Sequence, residues 1–198
     1  MKKKITIILL LGIVFLPISV FGYDTEFTCT INGATWKCGG KESGHSWSTA
    51  DILGEAKGAA TFTGELKIPS TVNDGTNTYI VNSIVQGVFD NYTGITKVEF
   101  PTNRQLYVDA AFRNCIGLKG ELIIPTGYYL DVGTFDGCSN IEYITMGQRL
   151  HWDANAPFKG CTNVRYIDTR AATTQYGWQA WSKWSLWRNG EPHVSLCI

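Results

Sequence analysis

The hydrophobic and polar positions of the chain follow one recurring figure. Phe89, Phe112, Phe135 and Phe158 stand 23 residues apart. Three residues after each comes Tyr92, Cys115, Cys138 or Cys161, and six after each comes Ile95, Leu118, Ile141 or Val164. Five after each is Gly94, Gly117, Asn140 or Asn163. These residue types tolerate a left-handed backbone, so the column predicts the end of a turn. Each unit then alternates: Val98 and Phe100, Leu122 and Ile124, Ile144 and Met146, Ile167 and Thr169. Alternation closed by Pro101 or Pro125 predicts a short strand with one buried face. The second unit runs one residue late, with Gly120 as the extra residue, and Gly64-Glu65-Leu66-Lys67-Ile68-Pro69 is an earlier copy of the same strand.

A period of this length dictates stacking. One unit supplies a Phe and three or four aliphatics, each stabilising by roughly 1.5–3 kcal/mol when fully buried. Ordering its backbone costs about 1 kcal/mol or more per residue. A lone unit therefore does not fold, whereas stacked units bury one apolar column against the next. The expected fold is a β-rich solenoid with a continuous short parallel sheet.

The pattern Phe-x-x-Cys-x-x-Leu/Ile-x-x-Ile-x-Ile-Pro closely resembles the BspA-like leucine-rich repeat of bacterial surface proteins, over residues 62–170. Ile68-Pro69-Ser70 through Tyr79-Ile80-Val81 to Ile84 is similar to that family's first repeat, with a hairpin around Asp74-Gly75. The third and fourth units depart from the pattern in lacking the Pro, and Trp152 and Pro157 are unusual near the last Phe. The resemblance implies a non-catalytic surface adhesin that attaches to matrix components or to other bacteria.

The ends of such a stack need covering. At one end, residues 23–61 include Phe27 to Cys38, which reads as a hairpin around Asn32-Gly33. A two-residue turn sets Cys29 opposite Trp36 and leaves Cys38 diagonal on the same face, while a four-residue loop sets the two cysteines opposite each other. A Cys29–Cys38 disulfide is open in either case. At the other end, residues 171–198 carry Trp178, Trp181, Trp184 and Trp187 at every third position. One reading is a short helix plugging the last coil with a broad apolar face; the other is an exposed aromatic strip for sugars or a protein.

Composition changes the picture in three places. Lys2, Lys3 and Lys4 precede an apolar run from Ile5 to Leu16 and small residues around Gly22, so residues 1–22 read as a signal peptide. The expected destination is secretion or the cell surface, with no membrane span in the mature chain. Without the signal lysines, 14 basic residues face 17 acidic ones, a net charge of −3, which gives no electrostatic case for nucleic acid. Export permits disulfides, but the spacing of Cys115, Cys138 and Cys161 favours buried free thiols acting as small hydrophobes.

No catalytic constellation, metal set or cofactor motif emerges. Gly44-His45-Ser46-Trp47-Ser48 lacks the second Gly of a nucleophile elbow and follows no buried strand. A hydrolase in that segment is the weakest reading. His45, His151 and His193 lack metal-ligand spacing.

Binding is instead expected on the outward strand positions. One row reads Glu65, Lys97, Glu121, Tyr143, Tyr166; the other reads Lys67, Glu99, Ile123, Thr145, Asp168. Tyr143 and Tyr166, with Lys97, Glu99, Glu121 and Asp168 around them, form the expected face for an extracellular protein, host matrix or bacterial. A glycan bound by exposed aromatics is the alternative. The bland reading of the same rows is cross-strand packing with self-neutralising charge.

Overall fold

The computed structural model describes residues 22–42, 48–56, 61–102, 105–131, 133–147 and 157–168, and beyond these the backbone of four short strands. Among the described residues every regular element is a strand. The chain opens with an antiparallel meander of β1 (Thr25–Ile31), β2 (Ala34–Lys41) and β3 (Thr49–Glu55). Asn32 and Gly33 both take positive φ, 51° and 79°, at the tight turn between β1 and β2, the backbone that Asn-Gly adopts most readily. Cys29 consequently pairs with Trp36, as a two-residue turn requires.

The strands that follow fall into two series. One series contains β4 (Gly64–Lys67), β7 (Ile95–Glu99), β9 (Gly120–Ile124), β11 (Ile141–Met146), β13 (Tyr166–Asp168) and, at the far end, β16 (Ser195–Cys197). The other continues the meander: β3 pairs in parallel with β6 (Thr78–Ile84), then come β8 (Tyr107–Val108), β10 (Tyr129–Leu130) and β12 (His151–Trp152). The short β5 (Thr71–Asn73) forms a hairpin with β6 around Asp74-Gly75. The Asp74 carboxylate fixes that turn by accepting from the Thr76 and Asn77 N–H groups and the Tyr79 hydroxyl.

Between the two series lies the aromatic column. Phe89, Phe112, Phe135 and Phe158 stack with centroids 4.7, 5.3 and 5.5 Å apart and ring planes within 13°. Trp36, fully buried, closes its N-terminal end 5.1 Å from Phe89 and also meets Phe62 and Tyr92. Cys115, Cys138 and Cys161 are buried free thiols. Each donates its S–H to the carbonyl of the Phe one unit earlier, Phe89, Phe112 or Phe135, at 3.0, 3.0 and 3.2 Å. Tyr92 replaces Cys in the first unit, where its hydroxyl donates to Glu55 on β3 at 3.1 Å. That bond ties the first repeat to the meander.

Three expectations are corrected. The left-handed residues lie two after each Phe, at Asn91, Asn114, Gly137 and Gly160 (φ 57° to 77°), rather than five after. Gly94 and Gly117 are small for a different reason. A Cβ at Gly117 would sit 2.1 Å from the Thr93 carbonyl oxygen, and one at Gly94 would sit 2.6 Å from the Thr63 side chain. In the later units Asn140 uses its side chain to donate to the Ile116 carbonyl at 2.7 Å.

The sheet of the first series is also not continuous. β4 pairs only with β7, and β9, β11, β13 and β16 form a second ladder. The gap falls at the one-residue shift. Gly120 takes φ 71°, a bulge absorbs the shift on the β11 side, and on the β7 side the Lys119 N–H to Thr96 carbonyl bond, 3.4 Å, crosses the gap.

The third correction concerns the tryptophans. Trp187 does not continue a helix: it lies in β14 (Trp187–Arg188), antiparallel to β15 (Glu191–Pro192) with Arg188 opposite Glu191. Asn189-Gly190 between them is a two-residue hairpin sequence that outweighs the tryptophan spacing. Trp178, Trp181 and Trp184 lie outside the described residues, as do residues 1–21, His45, Ser46 and His193.

Candidate functional site: the outward faces of the strands

Alternation along each strand decides what faces out. Val98, Leu122, Ile124, Ile144, Met146 and Ile167 are buried, so the residues between them point away from the column. Register then assembles the rows. Glu121 pairs with Tyr143, and Tyr143 with Tyr166; Ile123 pairs with Thr145, and Thr145 with Asp168. Tyr143 is 43% exposed and Ile123 is 50% exposed, while Tyr166 is half-buried. Thr145 donates its hydroxyl to Glu121 at 2.6 Å across the ladder. β9, β11 and β13 therefore present two neighbouring tyrosines, an exposed isoleucine and a carboxylate at either side.

The other predicted residues stand apart from this group. Glu65 pairs with Lys97 and Lys67 with Glu99 on the separate β4–β7 ladder. Glu99 accepts from Lys97 at 2.8 Å and Lys67 at 3.3 Å. Lys97, then Lys67, hold its carboxyl below the usual range, and Glu99 in turn raises Lys97. Such solvent-exposed pairs add little stability. They leave this stretch locally neutral, as the bland reading of the charged rows expects.

A second row was missed in the sequence. On the other series Tyr107 pairs with Tyr129, and Tyr129 with His151. The two tyrosine rings stack at 4.3 Å and 14°, and Tyr107 is 45% exposed. Ser83, opposite Tyr107 on β6, is small. Two residues along on the same side lie Asp109 and Asp131. Burial, and then the neighbouring Asp131, push the Asp109 carboxyl above its usual range. The signal was available: Tyr107-Val108-Asp109, Tyr129-Leu130-Asp131 and His151-Trp152-Asp153 repeat every 22 residues. With strands of two residues there is no alternation to reveal them.

Near the turns, Arg113 forms an ion pair with Asp90 at 2.6 Å, one unit back in the same column, and its backbone N–H donates to the same carboxylate. Among the described residues no group of three or more His, Cys, Asp or Glu side chains stands where it could hold a metal ion. No helix among them is long and apolar enough to cross a membrane.

The model of the BspA type leucine rich repeat region matches residues 65–188 in six copies. The chain belongs to the BspA-type leucine-rich repeat family. Among solved structures, a leucine-rich repeat protein from Bacteroides ovatus is similar at 17% identity and a TM-score of 0.29. The likeness covers 74% of this chain and 47% of that one, so the chain spans about half the length of that protein. No curated protein matches it. The BspA-type match extends past the last Phe to residue 188, and beyond it β16 joins β13 in parallel with Tyr166 opposite Ser195. In this BspA-type chain Tyr143 and Tyr166 follow the 23-residue spacing of the interior, while Tyr107, Tyr129 and His151 follow one of 22.

Proposed function

We propose that the chain is an exported, non-catalytic binding protein that recognises an extracellular protein through the face of β9, β11 and β13. Residues 1–22 serve as its signal peptide and 62–170 as a repeat solenoid. Residues 23–61 cover one end and the Trp-rich 171–198 the other. The partner is a matrix or bacterial surface protein, and adhesion is the biological outcome.

The observation that carries this reading is the register of Tyr143 with Tyr166 beside the exposed Ile123. Large amphipathic rings lose little conformational entropy on binding and dominate the energetics of protein interfaces. Repeat families use such extended strand faces for that purpose.

The test is capture from matrix or mucosal extract with the mature chain, followed by a titration with the purified partner. Tyr143→Ala with Tyr166→Ala is expected to weaken binding at least tenfold, while Lys67→Ala on the separate ladder leaves it unchanged. Equal binding by both variants would move the interface elsewhere.

A second reading has its own support. The stacked Tyr107 and Tyr129, with the Asp109 and Asp131 carboxylates two residues along, combine ring surface for sugar C–H groups with acceptors for hydroxyls. A glycan array read with wild type, Tyr107→Ala and Trp181→Ala decides it. Signal lost in Tyr107→Ala supports glycan binding on this sheet, signal lost only in Trp181→Ala moves it to the tryptophan segment, and silence throughout removes it.

A further inference from the structure

Among the described residues the structure treats two groups of cysteine differently. Cys115, Cys138 and Cys161 are buried in the repeat column, and each S–H is engaged with a Phe carbonyl. The Cys138 thiol and burial push Cys115 well above the usual thiol range, and burial does the same to Cys161. Such thiols are poor nucleophiles.

Cys29 and Cys38 face each other instead. In the β1–β2 register Cys29 pairs with Trp36 and Cys38 with Phe27, so the cysteines are diagonal neighbours on the same face of the hairpin. The right-handed twist of a two-stranded ribbon draws one diagonal together, and here it brings the two sulfurs to 2.7 Å. The thiols are each other's partner.

We infer that Cys29 and Cys38 are joined by a disulfide in the exported chain and that this bond locks the hairpin against the first repeat. The oxidant required is an exchanging disulfide of the export compartment, on a protein or a small thiol carrier. Cys29 is the attacking thiol. It is the more exposed of the two, 8% against 0%, and its hydrogen bond with Cys38 holds its thiol below the usual range. Cys29 loses its proton and bonds to one sulfur of the oxidant, whose other sulfur leaves as a thiolate. Cys38, deprotonated in turn, attacks Cys29 Sγ and expels the second oxidant sulfur. Two thiols have then given up two protons and two electrons, and the oxidant has become two thiols.

The position gives the bond a purpose. The hairpin between the two cysteines carries Trp36, which closes the Phe column. It also carries Asn32, whose side-chain oxygen accepts from the Lys67 N–H on β4 at 2.8 Å. Fixing β1 to β2 holds both docking groups in place, and the loop it closes has only eight residues between the cysteines. Closing a short loop stabilises modestly, so reduction is expected to lower the melting temperature on the order of 5 °C and not to unfold the protein.

The experiment is peptide mapping of the full chain exported through an oxidising compartment. It is denatured with an alkylating agent and no reductant, then digested. The expected result is one linked pair of peptides containing Cys29 and Cys38, with Cys115, Cys138 and Cys161 alkylated. Free Cys29 and Cys38, or either one joined to Cys197, overturns the inference. Thermal melts supply the control. Reduction lowers the midpoint of the wild type and leaves that of Cys29→Ser/Cys38→Ser unmoved; an equal drop in both would show that the lock lies elsewhere.

Discussion

Gly117 shows how a residue type can be legible while its reason is not. The column five after each Phe reads as a place for left-handed backbone, yet Gly117 is there because the Thr93 and Ile95 carbonyls of the preceding unit leave no space. What was hidden is a contact between units, which no local rule contains. Gly117→Ala is therefore expected to destabilise by about 2–3 kcal/mol through overpacking against backbone. Gly64→Ala, where a Cβ meets nothing but φ is 105°, should cost only about 1–2 kcal/mol of backbone strain. Urea titrations of the two variants distinguish the mechanisms by size.

Glu55 carries the clearest pH dependence at this scale. Burial pushes its carboxyl up, but hydrogen bonds from Thr61, Tyr92 and the Phe62 N–H outweigh that and hold it below 4.5. A carboxyl whose folded value is depressed contributes stability that is complete above the unfolded value and fades as pH falls through the folded one. Stability should thus decline below about pH 4.5, and Glu55→Gln should show a shallower decline in melts between pH 6 and pH 3 than the wild type. Asp109 has the opposite sign. Its carboxyl is raised by burial and by Asp131, so Asp131→Asn should stabilise the protein at pH 7 and make no difference once both carboxyls are protonated.

Among the elements, β4, β7, β9, β11 and β13 were legible because inward residues alternate along them, whereas β16 was not. In the second series β6 was legible from its hairpin at Asp74-Gly75, but β8, β10 and β12 were not, since they have two residues each. Only the recurrence of Tyr-x-Asp or His-x-Asp at 22 residues marks β8, β10 and β12. Hence one face of the candidate site, Tyr143 and Tyr166, was found from sequence and the other, Tyr107 and Tyr129, required the strand pairing. The break between β7 and β9 was foreshadowed by Gly120 as an extra residue, but its consequence depends on where neighbouring strands place their hydrogen bonds. The β1–β2 hairpin was readable from Asn32-Gly33, whereas β3 was not, and the meander's contribution rests on Trp36. Removing that fully buried ring from contact with Phe62, Phe89 and Tyr92 should cost about 3–5 kcal/mol in Trp36→Ala. The protein should then self-associate as the end of the Phe column is uncovered, which sedimentation velocity at two concentrations would reveal.

For the molecule as a whole, the 23-residue unit is proposed to be the unit of both interior and surface. Stability in such an array is approximately a sum over neighbouring units, so a whole unit can be removed where half a unit cannot. Deleting residues 112–134 joins Ala111 directly to Phe135, which would then stack on Phe89 as Phe112 does. Deleting only residues 112–123 puts the Phe column and the strands out of step. The decisive measurement is amide hydrogen exchange on the wild type and the two deletions. Protection of β4, β7, β11 and β13 retained after removal of 112–134, and lost after removal of 112–123, is the predicted result. Loss of protection in both, or its retention in both, would contradict the stacked-repeat account on which the binding faces rest.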